Sequence, residues 1–193
     1  LGLSGLDAAM LVRDKRGEPR STRFLDKRRR FIGVHMAPGI RGDLHGLDRL
    51  VALAAPALRA AVPAGQAESP PPTWPLFLAV AEAGRPDDDA RLAGEIVPIL
   101  AEASGVAIDA SRSRTFRTGH AGAAFALVAA LDELQKGAPA VILGAVDSYY
   151  HPDVLAWPDA ECRLHALDAE NGFVPGEGAA ILLLTPGLGR GAR

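Results

Sequence analysis

Cys162 is the one cysteine in this 193-residue chain. A lone thiol excludes an internal disulfide and any multi-cysteine metal site. Aromatic residues are scarce as well, at 5% of the chain, so a core must be assembled from small and aliphatic side chains. No apolar run approaches the roughly 20 residues of a bilayer span; the longest extends from Ala123 to Leu131. The first residues lack the basic start and apolar centre of a secretory signal. A net charge of −2 provides no general attraction for nucleic acid. His35, His45, His151 and His165 share no metal-ligand spacing, so they read as ordinary histidines and no metal is expected. Together these absences point to a soluble protein of a reducing compartment, the bacterial cytoplasm.

What is present is globular in character: 48% hydrophobic and 23% charged residues, enough for a single domain with a sizeable core. Residues 1–193 therefore read as one domain, and no internal repeat is visible. Charge is most lopsided over 13–30. There Arg13, Lys15, Arg16, Arg20, Arg23, Lys27, Arg28, Arg29 and Arg30 outnumber Asp14, Glu18 and Asp26. That segment lacks helical or alternating apolar spacing, which predicts an exposed loop.

From Asp43 to Val62, Leu44, Leu47, Val51, Ala54, Leu58 and Ala61 recur at helical spacing. Asp43 is the expected N-cap, and Pro56 is expected to kink or split the helix. Five prolines between 63 and 75 predict an extended connector. Leu76 to Ala81 is a short continuous apolar run, as in a strand covered on both faces. Residues 90–103 return to helical spacing, with Pro98 a second expected kink and Gly105 the stop. A weak strand over 113–116 leads into a helix over 119–136. This helix is apolar all round from Ala121 to Leu131, which predicts that its first turns are buried centrally. Val141–Val146 and Ala179–Leu184 are the clearest strands. Alternation of helix and strand predicts an α/β fold layered around a mainly parallel, mixed sheet.

Three motifs follow one another in the second half. Arg117-Thr-Gly-His-Ala-Gly122 opens the long helix, Ala140-Val-Ile-Leu-Gly-Ala-Val-Asp-Ser148 forms a strand, and Asn171-Gly-Phe-Val-Pro-Gly-Glu-Gly178 leads into the last strand. This succession resembles the amino-terminal half of the β-ketoacyl synthases, of the thiolase superfamily; the match is close over 113–185 and follows by layout over 1–112. The resemblance implies a thiolase-like layered fold, with a first strand before Leu1 and a carboxyl half that the chain lacks. It implies acyl transfer in fatty acid or polyketide assembly, an acyl carrier protein as partner, and pairing as a homodimer or with another ketosynthase. No cofactor is implied.

Such proteins carry a nucleophilic cysteine where the chain turns into the helix. Counted back from Leu134-Gln-Lys-Gly137, that position falls on His120. A thiolate at a helix N-terminus is favoured by free N–H groups and the helix dipole; an imidazole there cannot form the thioester. Condensing activity is therefore expected to be absent, and Gly119 and Ala121 are the flanking candidates for substrate contact. The alternatives are a non-catalytic partner of an active ketosynthase, a malonyl-thioester decarboxylase, or an acyl-thioester hydrolase. On a plain structural reading His120 fills space and hydrogen-bonds locally. Glu177, entering an apolar strand, needs a hydrogen-bonding or cationic partner and is expected to support the site from below. Cys162 lies in a polar loop beside Glu161 and is not expected to act as a nucleophile. The basic segment 13–30 would suit an acidic carrier protein, or be a solvated face.

Overall fold

Alternating inward and outward side chains along Val141–Ser148 divide the molecule into its layers. The computed structural model describes residues 18–62, 72–166 and 169–187. In chain order these form β1 (Arg20–Leu25), β2 (Phe31–Val34), α1 (Gly46–Ala61), β3 (Leu76–Ala79), α2 (Ile96–Ser104) and β4 (Arg114–Phe116). Then come α3 (Gly122–Gln135), β5 (Val141–Ser148), α4 (Pro152–Ala160) and β6 (Glu177–Leu184). Four strands make a sheet in the order β4-β3-β5-β6. β3 runs parallel to both β4 and β5, and β6 is antiparallel to β5, with Val141 opposite Leu184 and Ser148 opposite Glu177. The chain is thus α/β with a mixed, mainly parallel sheet.

Ile142 and Val146 of β5 join Leu76 and Leu78 of β3 against α1 and α2, in the largest apolar cluster. The opposite side chains, Val141 and Leu143, meet α3 together with Phe77 and Phe116. Aromatics are few, and the first cluster is filled almost wholly by Leu, Ile, Val and Ala. A third cluster, of Ile32, Val34, Leu155 and Leu164, packs the β1–β2 hairpin onto α4.

Several expectations need correction. The described part of the basic segment is not a loop: β1 and β2 pair antiparallel, with Thr22 buried and Arg23 exposed beside it. The hairpin turn is held by Asp26, whose Oδ1 accepts from the Arg28 and Arg30 amides, and it places Arg29 at a positive φ of 62°. α1 starts after His45, two residues beyond Asp43, and has no side-chain cap; Asp43 instead pairs with Arg41. Pro56 lies inside α1 without dividing it. The expected helix over 90–103 is a short 3₁₀ turn at Ala90–Ala93 followed by α2. Pro98 falls in the first turn of α2, where a missing N–H forfeits no helical bond. Of the proline-rich connector, 63–71 lie outside the described residues; Trp74 at its end bridges to Ile108. Helix α4 was not expected, since Pro152 and Pro158 mask its pattern; His151 caps it by accepting the Asp153 amide at Nδ1.

The largest correction concerns α3, which is not central. It buries only Gly122, Ala126 and Ala130, spaced four apart. A Cβ on Gly122 would lie 3.3 Å from that of Ala79, so the small stripe brings the helix close to the sheet. The bulky residues consequently face outward, with Phe125 54% and Val128 58% exposed. Among the described residues no helix is long and apolar enough to cross a membrane.

Glu177 and Arg49 have side-chain exposures of 0% and 2%. Arg49 Nε donates to Glu177 Oε2 at 2.5 Å and Nη2 to Oε1 at 2.7 Å, a two-pronged pair between α1 and β6. Removing one member strands a buried charge, whereas replacing both with apolar groups does not. Arg49→Leu should therefore destabilise the chain by about 3–5 kcal/mol in urea unfolding, and Arg49→Leu combined with Glu177→Leu should recover much of that loss.

Candidate functional site

β3 and β5 are parallel neighbours, so their carboxyl ends open on the same edge of the sheet, where α/β folds bind ligands. A cleft of about 460 Å³ lies there, lined by Glu82, Gly119, His120, Asp147 and Tyr149 among small apolar residues such as Ala79 and Ala145. β4 ends at Phe116, and a 3₁₀ turn over Gly119–Ala121 carries the chain into α3. His120 is thus exposed in the cleft, at the last turn before a helix start. Gly119 takes a φ of +57°, a conformation that favours glycine. Gly119, His120 and Ala123 line the cleft; Ala121 does not.

A buried arginine organises the rim. Arg85 Nε donates to Asp87 at 2.7 Å, Nη1 to Asp147 at 2.8 Å and Nη2 to the Ser148 carbonyl at 3.2 Å. Burial works against its charge, but the bond to Asp87 and the fields of Asp147 and Asp87 outweigh it, and its pKa is raised. Arg117, just before the turn, pairs with Asp88. The Gly84 amide and the Arg117 guanidinium hold Asp88 below the usual carboxylate range. That contribution to stability is present above the ordinary carboxylate pKa and lost as pH falls through the lowered value.

Glu177 sits beneath the cleft rather than in it. The next residues, Gly178, Ala179 and Ala180, line its wall. Arg49 is the cation that the buried carboxylate requires. Cys162 lines a separate concavity with Arg163 and Phe173 that does not include His120. Sequence position gave it no activating neighbour, yet the hairpin brings Lys27 Nζ to 2.9 Å from its Sγ. The remaining histidines do local work: His45 stacks on Tyr150 and His151 caps α4. Among the described residues, no group of three or more His, Cys, Asp or Glu is placed to hold a metal ion.

Sequence reasoning missed Glu82, Arg85 and Tyr149. Two of them carried a readable signal: Glu82 is the first charged residue after the apolar run 76–81, and Tyr149 directly follows the strand 141–148. Polar residues at the carboxyl ends of parallel strands are the ones a ligand meets. Arg85 reaches Asp147 only through the fold. In comparisons with known proteins, no family model, no curated protein and no solved structure matches this chain.

Tyr149 offers a direct check on the cleft. Burial first, and then the charges of Asp147 and Glu82, raise its pKa above 10.0. A raised value favours the folded state below the ordinary phenol pKa and loses that contribution as pH rises through the shifted one. The chain has two tyrosines, so subtracting the tyrosinate absorbance titration of Tyr149→Phe from wild type isolates this phenol. Its midpoint should lie above pH 10; a midpoint at or below 10 contradicts the buried setting.

Proposed function

We propose that this chain is the amino-terminal half of a thiolase-like layered fold, a β-ketoacyl synthase-like protein of fatty acid or polyketide assembly that does not condense. One observation carries the reading. His120 stands in a cleft at the carboxyl edge of two parallel strands, immediately before a long helix, where the resemblance puts a nucleophilic cysteine. Glycine at 119 with a positive φ, and Gly122 against the sheet, supply the sharp turn such a corner needs. Without a thiol no acyl-enzyme forms by the usual route. Gly119 is the flanking residue that faces a bound acyl group, and Glu177 anchors the strand beneath it.

An acyl carrier protein is the partner this reading implies, docking on the basic segment 13–30. The described part presents Arg20, Arg23, Arg29 and Arg30 on an exposed hairpin. The exposed outer face of α3 favours a companion reading, in which the chain pairs with an active ketosynthase or with a second copy of itself. Such a layer would cover Phe125, Val128 and Leu131, which stand largely in solvent.

Restoring the nucleophile tests the corner. In a Cys162→Ser background, His120→Cys should gain the mass of one acyl group when incubated with an acyl-N-acetylcysteamine thioester, while the His120 parent should gain none. Failure of the new cysteine to acylate in a folded protein would remove the corner from consideration. For the companion reading, Val128→Glu should change stability by no more than about 0.5 kcal/mol, as an exposed site does, and should abolish copurification with a cysteine-bearing ketosynthase.

A further inference from the structure

The carboxylates around the cleft are committed, with one exception. Asp87 and Asp147 hold Arg85, Asp88 holds Arg117, and Asp89 holds Arg91. Glu177 is taken by Arg49 below. Glu82, half-buried in the cleft lining, makes no hydrogen bond or ion pair among the described residues. Its Oε2 lies 3.4 Å from the position a Cβ would occupy on Gly119, so the carboxylate rests over the glycine that precedes His120. Two arginines flank the same loop and both turn to other acids. The cleft therefore brings together an uncommitted carboxylate, an imidazole and a phenol that burial keeps protonated, between walls of alanine and valine. Such a set performs general acid–base chemistry on a ligand with an apolar body.

We propose that this cleft hydrolyses acyl thioesters, with His120 as general base, Glu82 as its positioning residue and the Tyr149 hydroxyl as a donor to the carbonyl oxygen. The inference rests on the corner reading and deepens it by naming the reaction and two further residues. The imidazole takes one proton from water as the water oxygen bonds to the thioester carbon. The tetrahedral adduct then collapses with cleavage of the C–S bond. The imidazolium returns its proton to the departing sulfur, leaving a carboxylic acid and a free thiol. No covalent bond to the protein forms, which suits a corner without a cysteine. Glu82, whose carboxylate rests against the turn that carries His120, is the acceptor available to the ring as it takes the proton.

Hexanoyl-N-acetylcysteamine is the probe, with thiol release followed by a chromogenic disulfide. All variants carry Cys162→Ser, so that the exposed thiol does not react with the reporter. The full chain should release thiol above the buffer rate, and His120→Ala should lower kcat at least a hundredfold. Glu82→Gln should lower kcat about tenfold or more with KM unchanged, and Glu82→Asp should recover part of the loss. A structural role for Glu82 would lower the melting temperature and change KM together with kcat. No turnover from the full chain, with His120→Cys still acylated, overturns hydrolysis and leaves the corner reading standing. Loss of both overturns the two together. Turnover unchanged in Glu82→Gln overturns the role of Glu82.

Discussion

Four donors converge on one buried carboxylate. Glu177 Oε1 accepts from the Ala37 amide and Arg49 Nη2, and Oε2 from Arg49 Nε and the Ser148 hydroxyl. These donors come from the segment after β2, from α1 and from the end of β5, so one side chain ties three otherwise separate pieces to the start of β6. Arg49 is saturated in return: its Nη1 donates to the Arg41 and Leu44 carbonyls, and its guanidinium lies 4.0 Å from the centre of the Tyr150 ring. A buried ion pair adds little net stability over an apolar substitute. What it adds here is uniqueness, because no other register of β6 against β5 would bring a carboxylate to these donors.

The backbone follows the same junction. His35 N donates to the Pro175 carbonyl and Glu177 N to the His35 carbonyl, so the chain leaving β2 pairs with the chain entering β6. Tyr149 N donates to the Gly176 carbonyl at the same level. The consequence reaches the cleft, since Tyr149 and Gly178 to Ala180 line it immediately beyond these bonds. This wall of the cleft is thus fixed by a polar hub together with the packing of Val146 and Ala179 in the largest apolar cluster.

Patterns of period two and long apolar runs were legible in the sequence. β3, β5 and β6 lie where such runs occur, and β5 and β6 are neighbours. The need of Glu177 for a partner was legible too, because a charge inside Gly-Glu-Gly-Ala-Ala-Ile has no water to turn to. The identity of that partner was not. Arg49 sits 128 positions away, in a stretch whose apolar spacing would have been as good with any residue there. The basic segment misled for a different reason: in a two-stranded hairpin only Thr22 and Phe24 need point inward, too few for alternation to stand out among so many arginines. Cys162 and Lys27 meet through the same unforeseen hairpin.

α3 shows why composition alone misplaced a helix. An apolar residue at every turn satisfies the criterion for burial on all sides, yet which face meets the sheet is decided by size. Gly122, Ala126 and Ala130 allow the helix axis to approach β3 and β5 closely, and a Cβ at Gly122 would be a tight fit, 3.3 Å from that of Ala79 and 3.4 Å from the Phe116 carbonyl oxygen. Turning Phe125 or Val128 inward would push the helix away and open the packing along its length. Each large side chain left half outside forgoes part of the about 1.5–3 kcal/mol that full burial gives. The outward face carries no charge from Ala121 to Leu131, so nothing in it is arranged for water. A sequence selected for solvent on that side would place Lys or Glu at 124, 127 or 131 at no cost to the sheet contact. Phe125, Leu127, Val128 and Leu131 gather there as exposed large apolar side chains, which is why the proposed pairing places its partner on α3.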